Sequence, residues 1–348
     1  MTMKAKKWIK DNVLVTGAAG FIGSALCESL ALHGWRVLGI DNLNAYYDLR
    51  LKKARLQRMG IIENPLTAYA GRMISERYRN LEFVKADITD RLEMESLFDE
   101  FRPEIVINLA AQAGVRYSIE NPYSYVKNNV DGFLVLLECA RNWPVRRFIY
   151  ASSSSVYGAG TKVPFSEDDR VDNPVSLYAA TKKSNEMMAR AYHNLYDIPI
   201  IGLRFFTVYG PWGRPDMAPM LFADAITKGT PLKVFNSGNL SRDFTYIDDI
   251  VEGVVKVTEG EDYDPKRDIY NIGHGSPVNL MDFIALMEKA LGKKASKEYL
   301  PMQKGDVFIT YADTTRLKDD YNYSPRTELE EGVKRFAEWY NSNENPLR

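Results

Sequence analysis

The sequence predicts an α/β protein, a doubly wound parallel sheet with a smaller C-terminal domain. Three observations predict it. Apolar, β-branched runs alternate with helical patterns from residue 12 to 205, the rhythm of βαβ units whose sheet is covered on both faces. A glycine turn, VLVTGAAGFIG, stands between the first such strand and the first helix. Beyond residue 205 the rhythm loosens into proline and glycine turns such as YGPWGRPDMAPM and NSGNLSRD.

In chain order, strands are expected at 12–16, 36–41, 81–87, 105–110, 146–152 and 199–205, with helices near 22–33, 48–59, 91–101, 122–141 and 176–196. Residues 60–80 break the rhythm and read as a loop or short-helix insertion. RDIYNIGHG at 267–275 reads as a further strand, and NLMDFIALMEKALG at 279–292 as an amphipathic helix stopped by Gly292. The expected division is a Rossmann domain at 9–205, to which 240–273 partly returns, and a substrate-binding domain assembled from 206–239 and 274–348.

With 348 residues the chain is long enough to bury a large core. Forty-five basic residues against 46 acidic ones leave a net charge of −1, so no global field draws it to nucleic acid or an anionic membrane. The basic opening, MTMKAKKWIKDN, leads into a strand and not into a signal-peptide apolar run, and no stretch of 18 apolar residues exists to span a membrane. Two cysteines, Cys27 and Cys139, give no disulfide framework, and His33, His193 and His274 lack ligand spacing, so no metal site is expected. A reduced cytoplasm fits this composition.

Gly17, Gly20 and Gly23, with Phe21 and Ile22 between the last two, let backbone N–H groups and a helix N-terminus approach a pyrophosphate. Asp41, followed by Asn42, ends the second strand, where a carboxylate accepts bonds from an adenosine ribose and repels a 2′-phosphate, favouring NAD over NADP. Leu109, Ala110 and Ala111 close the fourth strand with residues small enough for backbone to lie against the cofactor.

SLYAATKKSNE places Tyr178 and Lys182 four apart, on one face of a helix. A phenol of pKa about 10 becomes a base at neutral pH only if its anion is favoured by about 4 kcal/mol, which a neighbouring ammonium and a cationic nicotinamide supply in a dry site.

TGAAGFIG, NLAAQAGVRYS, ASSSSVYG, YAATK and LRFFTVYGPWGRPDM together resemble the extended short-chain dehydrogenase/reductase superfamily in its nucleotide-sugar branch. Within that branch, DNLNAYYD, AAQAGVRYSIENP and NIGHGSPVNLMDFI are most similar to the UDP-glucuronate 4-epimerases. The resemblance implies a hydroxyl-tyrosine-lysine set with Ser153 as the hydroxyl and Ser154 as its nearest competitor. It also implies that Asp87 and Ile88 contact adenine, that Asn128 lies on the cofactor side and that Asp306 lies on the uridine side. Related dehydratases and decarboxylases carry acids where this chain has Ser154 and Ser155. Hydroxyls donate to a substrate carboxylate that an acid would repel, so Ser154, Ser155 and Thr207 are expected around the sugar C6 carboxylate. Arg214 and Arg242 are candidate cations for the UDP diphosphate, and Arg116 for phosphate or carboxylate.

The implied activity is reversible C4 epimerisation of UDP-glucuronate through a 4-keto sugar and a tightly held NAD that is regenerated each cycle. The alternatives are a 4-epimerase of a neutral UDP-hexose, such as UDP-glucose or UDP-N-acetylglucosamine, and an NAD-binding sensor without turnover. The helices near 122–141 and 176–196 resemble those forming a four-helix dimer contact in this family, which implies a homodimer.

Overall fold

The computed structural model describes residues 11–62, 71–160, 162–303 and 305–348. The basic opening segment, the first two residues of the expected 9–205 domain and much of the 60–80 insertion lie outside them. The chain begins with β1 (Asn12–Thr16), α1 (Phe21–Leu32), β2 (Arg36–Asp41), α2 (Leu49–Arg58), β3 (Arg72–Ile74), β4 (Leu81–Lys85), α3 (Arg91–Phe101) and β5 (Ile105–Asn108). It continues through α4 (Tyr117–Glu120), α5 (Pro122–Tyr125), α6 (Gly132–Asn142), β6 (Arg147–Ser153), α7 (Leu177–Tyr196) and β7 (Ile200–Phe205).

The remainder comprises β8 (Thr207–Tyr209), α8 (Ala218–Lys228), β9 (Leu232–Phe235), β10 (Ser241–Tyr246), α9 (Ile247–Glu259), β11 (Ile269–Ile272), β12 (Pro277–Asn279), α10 (Leu280–Leu291), β13 (Lys297–Leu300), α11 (Thr315–Tyr321) and α12 (Leu329–Asn341).

The main sheet runs β11-β7-β6-β5-β1-β2-β4-β3. Every pairing is parallel except that of β3 with β4. Its strands are apolar on both faces. Val13 and Val15 of β1 join one core with Leu26 and Leu30 of α1 and Ile250 and Val254 of α9. Leu14 points into the other, with Phe98 of α3, Leu136 of α6 and Ala189 of α7. Each such Val, Leu, Ile or Phe side chain, fully buried, contributes about 1.5–3 kcal/mol. Helix starts follow their caps: the Asp90 side chain accepts from Glu93 N, and the Ser176 Oγ accepts from Ala179 N at 3.1 Å, which opens α7 one residue before Tyr178. Past β7, a three-stranded sheet (β12-β10-β8) and a two-stranded one (β13-β9) form the smaller lobe.

Two expectations need correcting. The 60–80 stretch contains strand β3, which adds antiparallel to the sheet edge; three residues among charged neighbours carry too little periodicity to read as a strand. The expected 122–141 helix is not uniform, because Val126–Asp131 winds as a π-helix between α5 and α6, a local widening that no hydrophobic pattern announces.

Candidate active site

Strand order reverses around β1, whose neighbours are β2 on one side and β5 on the other. The C-terminal strand ends part there, and a crevice opens at such a switch point. A cavity of about 450 Å³ occupies it. Of the residues singled out from the sequence, it brings together Gly17, Gly20, Phe21, Ile22, Gly23, Asp41, Asn42, Ile88, Leu109, Ala110, Ala111, Asn128, Ser153, Ser154, Ser155, Tyr178, Lys182, Thr207, Arg214, Arg242 and Asp306. Asp87 and Arg116 stand just outside the lining. The Asp87 carboxylate is drawn up by burial, but bonds from Asn42 and Thr89 outweigh that and hold it below the usual range.

The dinucleotide end fits its expected occupant. Gly17 has φ of +70°, and a Cβ there would lie 2.9 Å from Ala110 N, so a side chain at this position would drive the β1 turn away from β5. Gly20 stands at the N-cap of α1 and supplies no side-chain cap, leaving the first-turn N–H groups for an anion. Asp41 Oδ1 accepts from Leu43 N at 2.8 Å and Lys52 Nζ at 3.2 Å, while Oδ2 accepts from Ala19 N at 3.2 Å and retains capacity for a ribose hydroxyl.

Lys52 was not among the sequence candidates, nor was Arg55, which donates to Ala19 O at 3.0 Å and to Trp212 O at 3.1 Å and so ties the glycine turn to the loop after β8. The signal was present in LRLKKARLQR: Leu51, Lys52, Arg55 and Leu56 share one helical stripe, which puts two cations on the inward face.

At the reacting end, β6 stops at Ser153. Its Oγ accepts from Ser155 N at 3.2 Å and opens a 3-10 turn over Ser154–Tyr157 that turns the serine run into the cavity. Ser155 Oγ is buried and lacks a hydrogen-bond partner among the described residues. Burial raises the Tyr178 phenol above its ordinary pKa, and a hydrogen bond from Ser153 and the Arg214 charge pull the other way. Lys182 Nζ lies 6.0 Å from the centre of the Tyr178 ring and donates to Ala151 O at 2.7 Å.

Burial also draws Lys182 down to about 8. A folded-state pKa below the unfolded one means that from about pH 8 to 10 the unfolded chain keeps a proton the folded chain has shed, so stability rises with pH there. Lys182→Met, freed of dinucleotide, is expected to lack that rise, a difference of roughly 3 kcal/mol across the window. Urea denaturation at several pH values checks this, and parallel curves for the two proteins contradict it.

The arginines divide into two groups. Arg214 donates from Nε to Asp216 Oδ1 at 3.0 Å, and Tyr46 Oη donates to the same carboxylate at 2.9 Å; this places the guanidinium beside the Tyr178 pocket. Arg116 reaches Asp306 at 3.7 Å, and Asp306 also acts on Arg242, whose charge is disfavoured by burial. Beside Arg242 on β10, Asp243 turns to the opposite face and accepts from the backbone N–H groups of His274, Gly275 and Ala312, which sets the β11–β12 turn against the lobe. Among the described residues no group of His, Cys, Asp or Glu side chains is arranged to hold a metal, and no helix is long and apolar enough to cross a membrane.

The model of the NAD dependent epimerase/dehydratase family matches residues 13–273. UDP-glucuronate 4-epimerase 5 of Arabidopsis thaliana is 44% identical over 347 residues, covering 94% of this chain and 75% of that protein. UDP-glucuronic acid 4-epimerase from Bacillus cereus, crystallised with UDP-glucuronic acid and NAD, is 34% identical and superposes with a TM-score of 0.84 over 94% of this chain and 98% of its own. The UDP-glucose 4-epimerase of Thermotoga maritima, solved with UDP-glucose, is 31% identical with a TM-score of 0.82 over the same shares. With its sheet order, its glycine turn and three-quarters of its length matched, this chain belongs to the NAD dependent epimerase/dehydratase family.

Proposed function

We propose that this protein interconverts UDP-glucuronate and UDP-galacturonate by inverting C4. One observation carries the reading: Tyr178, its partner Ser153 and the uncommitted Ser155 hydroxyl face the same cavity as the glycine turn and Asp41. NAD, when bound, supplies a reversible hydride acceptor for the sugar C4. Tyr178 Oη takes the 4-hydroxyl proton as the carbinol becomes a ketone, and returns it on reduction. Ser153 donates to the 4-oxygen or to the phenolate, whichever carries the charge. Lys182, fixed by Ala151 O, presents a cation below the ring and holds the nicotinamide ribose.

Ser154, Ser155 and Thr207 donate to the C6 carboxylate, and Arg214, its charge shared with Asp216, flanks the same cavity. Gripping that carboxylate keeps the 4-keto acid from losing CO2 while the ring turns to present its other face. Arg242 and Arg116, gathered around Asp306, take the diphosphate end.

The residues at 206–239 and 274–348 serve as the substrate-binding domain in this reading. We also assign the working form as a homodimer in the cytoplasm. Tyr123, Val126, Leu134, Met187 and Leu195, all on α5, the π-helical turn, α6 and α7, expose apolar side chains of the kind a second copy would cover. Proton NMR of the protein with UDP-glucuronate tests the function. The expected product has an axial 4-hydroxyl and forms without CO2 release; UDP-xylose, or no reaction, rejects the assignment.

A further inference from the structure

We propose that Glu186 and Arg204 are positioning residues that hold Tyr178, Lys182 and Ser153 in register through one buried hydrogen-bonded chain. The inference rests on the epimerase reading above and adds residues that touch neither substrate nor cofactor.

The chain of bonds starts on α7. Glu186 lies one turn beyond Lys182 and two beyond Tyr178, so whatever fixes its carboxylate also fixes the rotation and height of the helix that carries both. Its Oε1 accepts from Ser152 Oγ at 2.7 Å. Ser152 stands on β6 between Ala151, whose carbonyl holds Lys182 Nζ, and Ser153, which bonds Tyr178. Arg204 is the cross-strand partner of Ser152 on β7, and its guanidinium donates to both Glu186 oxygens at 2.9 Å. The remaining Nη1 donates to Tyr157 Oη at 3.0 Å, and Tyr157 donates in turn to Asn271 Oδ1 on β11 at 2.7 Å. Tyr157 closes the 3-10 turn that presents Ser154 and Ser155. One connected set of side chains therefore spans α7, β6, the serine turn, β7 and β11.

Every member is buried: Glu186 is 6% exposed, Arg204 3%, Ser152 and Tyr157 2% and Asn271 0%. Burial pushes the Glu186 carboxyl up, but the Arg204 fork and Ser152 outweigh it and keep the acid ionised. A buried ion pair gains little over an apolar pair of the same shape, so stability alone does not account for two charges here. Direction does. A planar guanidinium holding a carboxylate by two parallel bonds admits one mutual orientation, which a greasy contact does not impose.

Three variants in the dinucleotide-bound protein test this. Ser152→Ala cuts the link to β6 and leaves the ion pair intact; kcat is expected to fall about 10-fold with KM for UDP-glucuronate unchanged. Glu186→Leu/Arg204→Met removes both charges together; it should fold and keep its dinucleotide, with KM within about 3-fold and kcat down about 100-fold. Glu186→Gln keeps the shape but offers one acceptor where the Arg204 fork uses two and leaves that guanidinium buried without a counter-charge, so kcat should fall at least as far as in Ser152→Ala, and wild-type kcat here would also overturn the proposal.

Wild-type kcat in the double variant overturns the proposal, as does a loss shared equally by KM, bound dinucleotide and thermal midpoint. Amide hydrogen exchange over residues 151–157 gives a readout independent of the sugar. It should quicken about 10-fold or more in the double variant, since exchange follows local opening, and unchanged protection also overturns the proposal. A wild-type protein inert toward UDP-glucuronate would reject the functional reading alone, with exchange still deciding the positioning claim.

Discussion

Tyr178→Phe is expected to lose at least about 1,000-fold in kcat, the upper part of the range that a positioned acid-base group supplies. UDP-glucuronate binding and bound dinucleotide should persist, because the substitution removes one oxygen and leaves the ring. That ring packs edge-on against Tyr125 at 6.0 Å between centres and stays in place without its hydroxyl. The large effect follows from the absence of a substitute. Ser153 is a far weaker base than a phenolate, and Lys182 is turned to Ala151 O. In the chain alone burial favours the protonated phenol, with only Ser153 and Arg214 opposing it. The positive charge of an oxidised nicotinamide, when bound, would add to Ser153 and Arg214 in favouring the phenolate. Turnover measured beside dinucleotide content checks both parts, and a Phe variant within tenfold of wild type would remove Tyr178 from the chemistry.

Ser154→Ala/Ser155→Ala should change which sugar the protein prefers. A hydrogen bond to a charged group contributes about 1.5–3 kcal/mol, so removing two donors from a carboxylate costs about 3 kcal/mol or more, roughly 100-fold in kcat/KM for UDP-glucuronate. UDP-glucose carries a single hydroxyl there in place of the carboxylate, and losing one neutral bond of about 1 kcal/mol should cost it only about 5-fold. The structural basis is Ser155 Oγ, a buried hydroxyl without a partner among the described residues, whose proton is uncommitted within the chain and so open to an acceptor in the cavity. Parallel assays with the two sugars decide it. Equal losses would mean that the serines serve the backbone of the turn and not the carboxylate.

Much of the cofactor half was readable because its residues act through local chain geometry. Gly17 must adopt a positive φ directly after a strand, and Asp41 must end the next one; both demands show as residue type at a fixed place in a strand-turn-helix pattern. Tyr178 and Lys182 were readable for the same reason, being one turn apart on a helix that Ser176 caps. What stayed hidden depends on distant partners. Glu186 and Arg204 are ordinary charges in the sequence until α7 packs on the sheet and brings the carboxylate of one within 2.9 Å of the guanidinium of the other on β7. Arg214 read as a free cation for diphosphate, yet Asp216, two residues on, turns back to pair with it and Tyr46 joins from the far side of the crevice. The π-helical turn over Val126–Asp131 shifts helical phase without altering composition, so Asn128 was placed on the right helix but its turn was not foreseen.

The central claim is that C4 is oxidised and reduced again with its own hydrogen. It is tested most directly by running the reaction on UDP-glucuronate carrying deuterium at C4. The account predicts UDP-galacturonate with that deuterium still at C4 and none released to water, because the hydrogen leaves as hydride and returns to the opposite face. Product with solvent hydrogen at C4 would mean that the proton, not hydride, is exchanged at carbon, and would contradict the account.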